Sequence, residues 1–239
     1  DYPPFAMTGY SQGGYVVSVS SEGYGALGWR AFNHLNAGGA DYFASTTSNS
    51  GNYTAGGGSY SGSANLGSDS GGTAFVDADK GEWLVLEQPH RLKLDMIYME
   101  ARQQHESKAP EDFKIYGSND NKNWNILLTV IGASPGSIPA YGGTGQYYPG
   151  TDSGTTVRSS NYTPYKYFAI VVTKTVNANP DAMMIAKLEF YGHRENDLVR
   201  LPDPTNVLKY PHIAMTGYAQ RGYVVTGSTY SHFPASGDP

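Results

Sequence analysis

Residues Pro110-Glu111-Asp112-Phe113-Lys114-Ile115-Tyr116-Gly117-Ser118-Asn119-Asp120 lead through Asn121-Lys122-Asn123 into Trp124-Asn125-Ile126-Leu127. Stretches 113–117 and 126–131 have the short, β-branched and aromatic character of strands. Gly-Ser-Asn-Asp between them is turn chemistry, because glycine tolerates positive φ and the short polar side chains bond to the backbone around them. The reading is strand, tight turn, strand, with Trp124 entering the second strand and filling the interior of the fold together with Trp83.

The same pattern extends in both directions. Stretches 15–20, 83–87, 167–173 and 185–191 read as strands bounded by Gly or Pro. Residues 91–100 set Leu92, Leu94, Met96 and Tyr98 against Lys93, Asp95, Ile97 and Met99, an apolar face at every second residue. No stretch sustains a helical period, so the class is all-β, a sandwich or jelly roll. Two long stretches, 38–72 and 134–160, are rich in Gly, Ser, Thr, Asn or Tyr and are expected outside the core, as functional or disordered loops.

Composition narrows the function. Charged residues make up 15% of the 239, against 30 glycines and 20 tyrosines, and the formal charge is −5. With no Lys/Arg cluster, the counterion-release term behind general nucleic-acid binding is missing. There is no cysteine, which excludes a disulfide framework and a thiolate metal site and leans toward a microbial or viral surface protein. No apolar run approaches the ~18 residues of a membrane span. The start at Asp1-Tyr2-Pro3-Pro4 has no signal-peptide pattern and reads as a mature or excised segment. The expected location is extracellular or on a virion surface.

A repeat sets the domain plan. Tyr2-Pro3-Pro4-Phe5-Ala6-Met7-Thr8-Gly9-Tyr10-Ser11-Gln12-Gly13-Gly14-Tyr15-Val16-Val17 returns as Tyr210-Pro211-His212-Ile213-Ala214-Met215-Thr216-Gly217-Tyr218-Ala219-Gln220-Arg221-Gly222-Tyr223-Val224-Val225, with 12 of 16 positions identical at a constant offset of 208. The expected plan is one sandwich over 1–196, a linker over 197–209 stiffened by Pro202 and Pro204, and the start of a second, incomplete copy over 210–239.

From Trp83 onward the chain resembles the discoidin family, also called coagulation factor 5/8 type C or galactose-binding-like. The resemblance is carried by Gly81-Glu82-Trp83-Leu84-Val85-Leu86 with Pro89, by residues 110–120 with Trp124, by Tyr167-Phe168-Ala169-Ile170-Val171-Val172 and by Ile185-Ala186-Lys187-Leu188-Glu189-Phe190-Tyr191-Gly192. Trp29-Arg30-Ala31-Phe32-Asn33 is similar to the family's early aromatic turn. Tandem copies with long Gly/Ser/Tyr loops look like surface or fibre proteins of large DNA viruses and algae. The resemblance implies a discoidin-like jelly-roll sandwich and, at one end, loops that hold sugars or lipids. It also implies a structural calcium, but the family's carboxylate positions read Asn33 and Lys187 here, so no metal or other cofactor is expected. Lys187 then either replaces the metal's charge, contacting Asn33 or nearby carbonyls, or points to solvent.

No catalytic constellation is visible. The six histidines show no metal-site spacing, and no nucleophile elbow or phosphate loop occurs. Glu82 with Glu87, or Asp77 and Asp79 with Glu82, reads as a solvated rim rather than a glycosidase pair. Arg102, Gln104 and His105 lie in the most polar loop and suit sugar hydroxyls, while Tyr141, Tyr147 and Tyr148 offer stacking faces or packing against another repeat. Asn52 and Asn161 head N-glycosylation triplets. Two functions remain: a non-catalytic structural repeat whose partners are copies of itself, or a carbohydrate-binding adhesin module.

Overall fold

A computed structural model of the chain describes residues 1–35, 41–46, 52–54, 57–69, 80–102, 104–133, 146–149, 163–176, 182–195, 219–220 and 223–224. Backbone contacts divide the chain into two units, Asp1–Asp197 and Leu198–Pro239.

The first unit is an antiparallel β-sandwich, as the discoidin-like reading expects. Its strands are β1 (Ser11–Gln12), β2 (Tyr15–Val19), β3 (Phe43–Ala44), β4 (Glu82–Glu100), β5 (Pro110–Ser118), β6 (Asn125–Val130), β7 (Gln146–Pro149), β8 (Tyr165–Thr175), β9 (Met184–Ile185) and β10 (Lys187–Arg194). One layer runs β1-β2-β4-β8-β5-β6. The two sequence stretches 83–87 and 91–100 prove to be one strand, β4, that serves both layers. Its first half pairs with β2 and β8, its second half with β10 and β7, and the β8 register breaks between Glu87 and Leu92, around the exposed Pro89. Proline cannot donate to the ladder, so the bend falls where pairing is already interrupted.

Between the layers lie Leu84, Leu86, Leu92, Ile97, Met99, Ile115, Phe168, Ile170, Val172, Leu188 and Phe190, all buried. The rings of Phe168 and Phe190, one from each layer, are 5.3 Å apart. The alternate residues of the same strands build a second core on the outer face, Trp83, Val85, Tyr116, Ala169 and Val171, joined by Trp124 just before β6 and by Leu66. Trp83 and Trp124 are therefore buried as expected, but outside the sandwich interior. Leu66 comes from a helical turn, Leu66–Asp69.

Stretch 38–72 departs from its loop reading. Phe43 and Leu66 are fully buried, Tyr53 is nearly so, and the Tyr53 hydroxyl donates to Val172 O at 3.1 Å. Single apolar residues among Gly and Ser give no period, so the pattern that reveals strands hides these anchors.

The turn after β5 is closed by Asp120. Its Oδ1 accepts from Lys122 N at 2.9 Å and Asn123 N at 2.8 Å, and these bonds hold the carboxyl well below the usual carboxylate range. His90, in the β4 bend, packs edge-on against Tyr2 and Tyr15. Burial lowers its pKa, and nearby Arg194 pushes the same way. A histidine depressed in the folded state contributes stability that is present above the unfolded value, about 6.5, and is lost as pH falls from there through the folded value. Melting temperature is therefore expected to fall between pH 7.5 and 5, and His90→Gln to flatten that fall; an unchanged slope in the variant would contradict it.

In the second unit, β11 (Ala219–Gln220) pairs with β12 (Tyr223–Val224).

Candidate functional site

Gly23-Tyr24-Gly25-Ala26 makes a two-residue turn closed by a bond of 2.9 Å from Ala26 N to Gly23 O, with φ of 55° at Tyr24 and 65° at Gly25. Positive φ at both central positions is type I′ geometry, which suits Asn-Gly. For tyrosine the left-handed conformation is uphill by about 1–2 kcal/mol. The surroundings enforce it: Gly23 N donates to Ala44 O at 3.0 Å and Ala44 N to Ala26 O at 3.2 Å. The Tyr24 side chain is nevertheless 54% exposed. A strained, exposed aromatic residue is not what packing alone selects.

The loop leaving β4 meets this turn. His105 N donates to Arg102 O at 3.1 Å and Lys108 N to His105 O at 2.9 Å. Gln104 is exposed, at φ 64°, and its N–H donates to Glu106 Oε1 at 3.0 Å. Lys108 Nζ lies 5.6 Å from the Tyr24 ring centroid, and the Arg102 guanidinium carbon lies 3.8 Å from that of Tyr42. Ala26, Tyr42, Ala44, Ala182 and Met184 form the small apolar cluster that holds these pieces together.

The sequence-selected Arg102, Gln104 and His105 thus sit beside Tyr24, Tyr42 and Lys108, which sequence reasoning missed; of these three only Tyr24 is exposed, Tyr42 and Lys108 being buried. The available signal was a tyrosine held between Gly23 and Gly25. Tyr141 lies outside the described residues, as do the side chains of Tyr147 and Tyr148. The backbone of β7 sets Tyr147 opposite Tyr98 and Gln146 opposite Met99, near the end of β4 from which the Arg102 loop departs. Chemically the surface offers an exposed ring, a half-buried guanidinium stacked on the buried Tyr42 and a half-buried imidazole. That set suits hydroxyl-rich ligands with apolar ring faces.

The expected metal position has a different occupant. Lys187 Nζ lies 3.0 Å from Glu189 Oε1 and 5.1 Å from the Tyr98 ring centroid. Its partner is therefore Glu189, rather than Asn33 or solvent. Asn33 Oδ1 accepts from Leu35 N at 3.0 Å. Asp1, His34 and Glu189 each bring one donor atom to within 4.8 Å of the others. Burial holds His34 below its ordinary range. An ammonium on the Glu189 carboxylate leaves a donor set that does not fit calcium. Melting temperatures in calcium and in chelator are expected to coincide, and a drop of several degrees with chelator would contradict this.

Glu82 is not part of a solvated rim. It is fully buried and accepts from the hydroxyls of Ser20 and Ser21, the latter at 2.7 Å, and from Asn52 Nδ2. Asn52 thus uses for folding the nitrogen at which a glycan would attach. Glu87 pairs with Lys166 at 2.7 Å. Asp77, Asp79 and Asn161 lie outside the described residues.

No family model matches the chain, and no curated protein does. Solved structures similar to it include CBM32-3 from a family 31 glycoside hydrolase of Clostridium perfringens, at 17% identity and a TM-score of 0.48, covering 74% of this chain and 88% of that one. A fucolectin from striped bass (Morone saxatilis) serum gives 12% identity and a TM-score of 0.46 over 75% and 45%. The family 32 CBM of C. perfringens NanJ in complex with galactose gives 10% and 0.41 over 74% and 92%. Among the described residues, no helix is long and apolar enough to cross a membrane.

Proposed function

We propose that the first unit is a non-catalytic carbohydrate-binding module acting outside the cell, with its site on the Tyr24–Arg102 surface. The carrying observation is Tyr24: a large ring kept exposed, in a backbone conformation it disfavours, with the buried Lys108 ammonium 5.6 Å from its centroid. An aromatic face stacks on a pyranose, and guanidinium and imidazole groups bond its hydroxyls. The proteins named above are carbohydrate binders or belong to glycoside hydrolases; the reading for this chain rests on its own surface.

A glycan array probed with the wild type and with Tyr24→Gly tests it. Glycine relieves the left-handed strain, so the variant is expected to melt about 2–4 °C higher while losing at least about tenfold in glycan binding. Undiminished binding by the variant would contradict the reading.

The repeat at residues 2–17 and 210–225 favours a second, compatible reading, in which the module is one repeat of a surface or fibre protein. Both hairpins have the same register: Ser11 opposes Val16 and Gln12 opposes Tyr15, as Ala219 opposes Val224 and Gln220 opposes Tyr223. Light scattering on chains ending at Asn196 and at Pro239 checks self-association; two monomers at every concentration would contradict it.

A further inference from the structure

The first 17 residues act as a clasp on the sandwich. Tyr2 and Phe190 exchange backbone bonds of 2.7 and 3.2 Å, Met7 N donates to Phe32 O at 3.0 Å, and Val16 and Val17 pair with Glu87 and Leu86 on β4. The side chains that enter the body are Pro3, Met7, Tyr15 and Val17, all buried. Each has an identical counterpart at Pro211, Met215, Tyr223 and Val225. The four differences fall elsewhere: Pro4, Ser11 and Gly13 are exposed, and Phe5 is half-buried.

Two of those differences fall at one close contact of the first copy. Gly13 has φ 59°, and a Cβ placed there would sit 2.5 Å from Phe5 Cζ. In the second copy the sequence has Arg221 in place of the glycine and Ile213, which carries no ring, in place of the phenylalanine. Gly14 would carry a Cβ 2.8 Å from Pro89 Cβ, and it stays glycine as Gly222. A loose linker has no need to keep the four residues whose counterparts are buried together with the close-approach glycine.

We infer that Tyr210–Val225 is a second clasp, able to seat on β4 and β10 of another copy of this chain in place of Tyr2–Val17, so that copies join by exchanging it. The exchange conserves the same contacts, so it is governed by concentration rather than by new interface chemistry. The inference deepens the repeat reading and is independent of the glycan reading.

The chain lacks cysteine, which makes disulfide trapping clean. The pair Val16 and Glu87 predicts that Val224 of one copy opposes Glu87 of another. The full chain carrying Glu87→Cys and Val224→Cys is refolded from denaturant over a range of concentrations, oxidised mildly and run on a non-reducing gel. Expected is a ladder of intermolecular species that rises with concentration, absent from either single-cysteine chain. Adding Met215→Asp, which lies outside the first unit, is expected to reduce the ladder at least about tenfold, since a carboxylate replaces the buried anchor. No ladder, a purely intramolecular product, or a ladder indifferent to Met215→Asp would overturn the inference. Light scattering of the cysteine-free chain reports assembly through any contact, so loss of this exchange is distinguishable from loss of the repeat reading.

Discussion

Phe168→Ala is expected to destabilise the first unit by about 3–5 kcal/mol, the usual range for removing a buried aromatic ring. Phe168 is fully buried, 5.3 Å from the Phe190 ring and 6.4 Å from that of Tyr165. It is the point where β8 of one layer meets β10 of the other, and the layers cannot collapse into the gap because β4 is continuous through both. For a unit of this size each kcal/mol moves the melting temperature by roughly 2–4 °C. Urea titration with an unchanged m-value checks the magnitude. A loss under about 1 kcal/mol would show that the two layers do not share this core.

Glu82→Ala is expected to remove about 3 kcal/mol or more, although it deletes no large apolar group. Its carboxylate is the common acceptor for Ser20, Ser21 and Asn52, and the Ser20 hydroxyl in turn accepts from Trp83 N at 2.9 Å. Alanine opens a gap at a fully buried position and takes the acceptor from three half-buried donors, each lost bond uphill by about 1 kcal/mol. Glu82→Gln keeps the shape and lets the serine hydroxyls rotate to accept, so its effect is expected near 1 kcal/mol. Equal losses for the two variants would contradict the hydrogen-bond account. The same network bears on Asn52: a sugar on its amide nitrogen replaces one of the two N–H hydrogens and has to fit beside the buried Glu82, so it should destabilise the unit as well.

What could be read from the sequence follows from where its regularities lie. The turn at Gly117–Asp120 and the alternation through 91–100 were legible because local chemistry and strand period agree there. The two tryptophans were placed inside but on the wrong face, because alternation separates two faces without saying which one meets the second layer. Phe43, Tyr53 and Leu66 gave no signal, being single apolar residues whose partners Ile185, Val172 and Trp83 are far along the chain. At the candidate site, Arg102 and His105 stood out by polarity. Tyr24 and Tyr42 did not, because strain and stacking on a guanidinium exist only once the Gly23–Ala26 turn and Tyr42 lie against the loop after β4. The clasp was legible as a repeat; the close approach of Phe5 to Gly13 was not, since it depends on how the ring folds over the turn.

An NMR titration of the full chain with simple pyranosides at millimolar concentration tests the proposed function most directly, because it locates binding as well as detecting it. The account predicts that at least one pyranoside shifts the ring signals of Tyr24 and the guanidinium and backbone signals of Arg102 and His105, while Trp83 and Trp124 stay unmoved. Shifts confined to another surface, or none from any sugar, would contradict it.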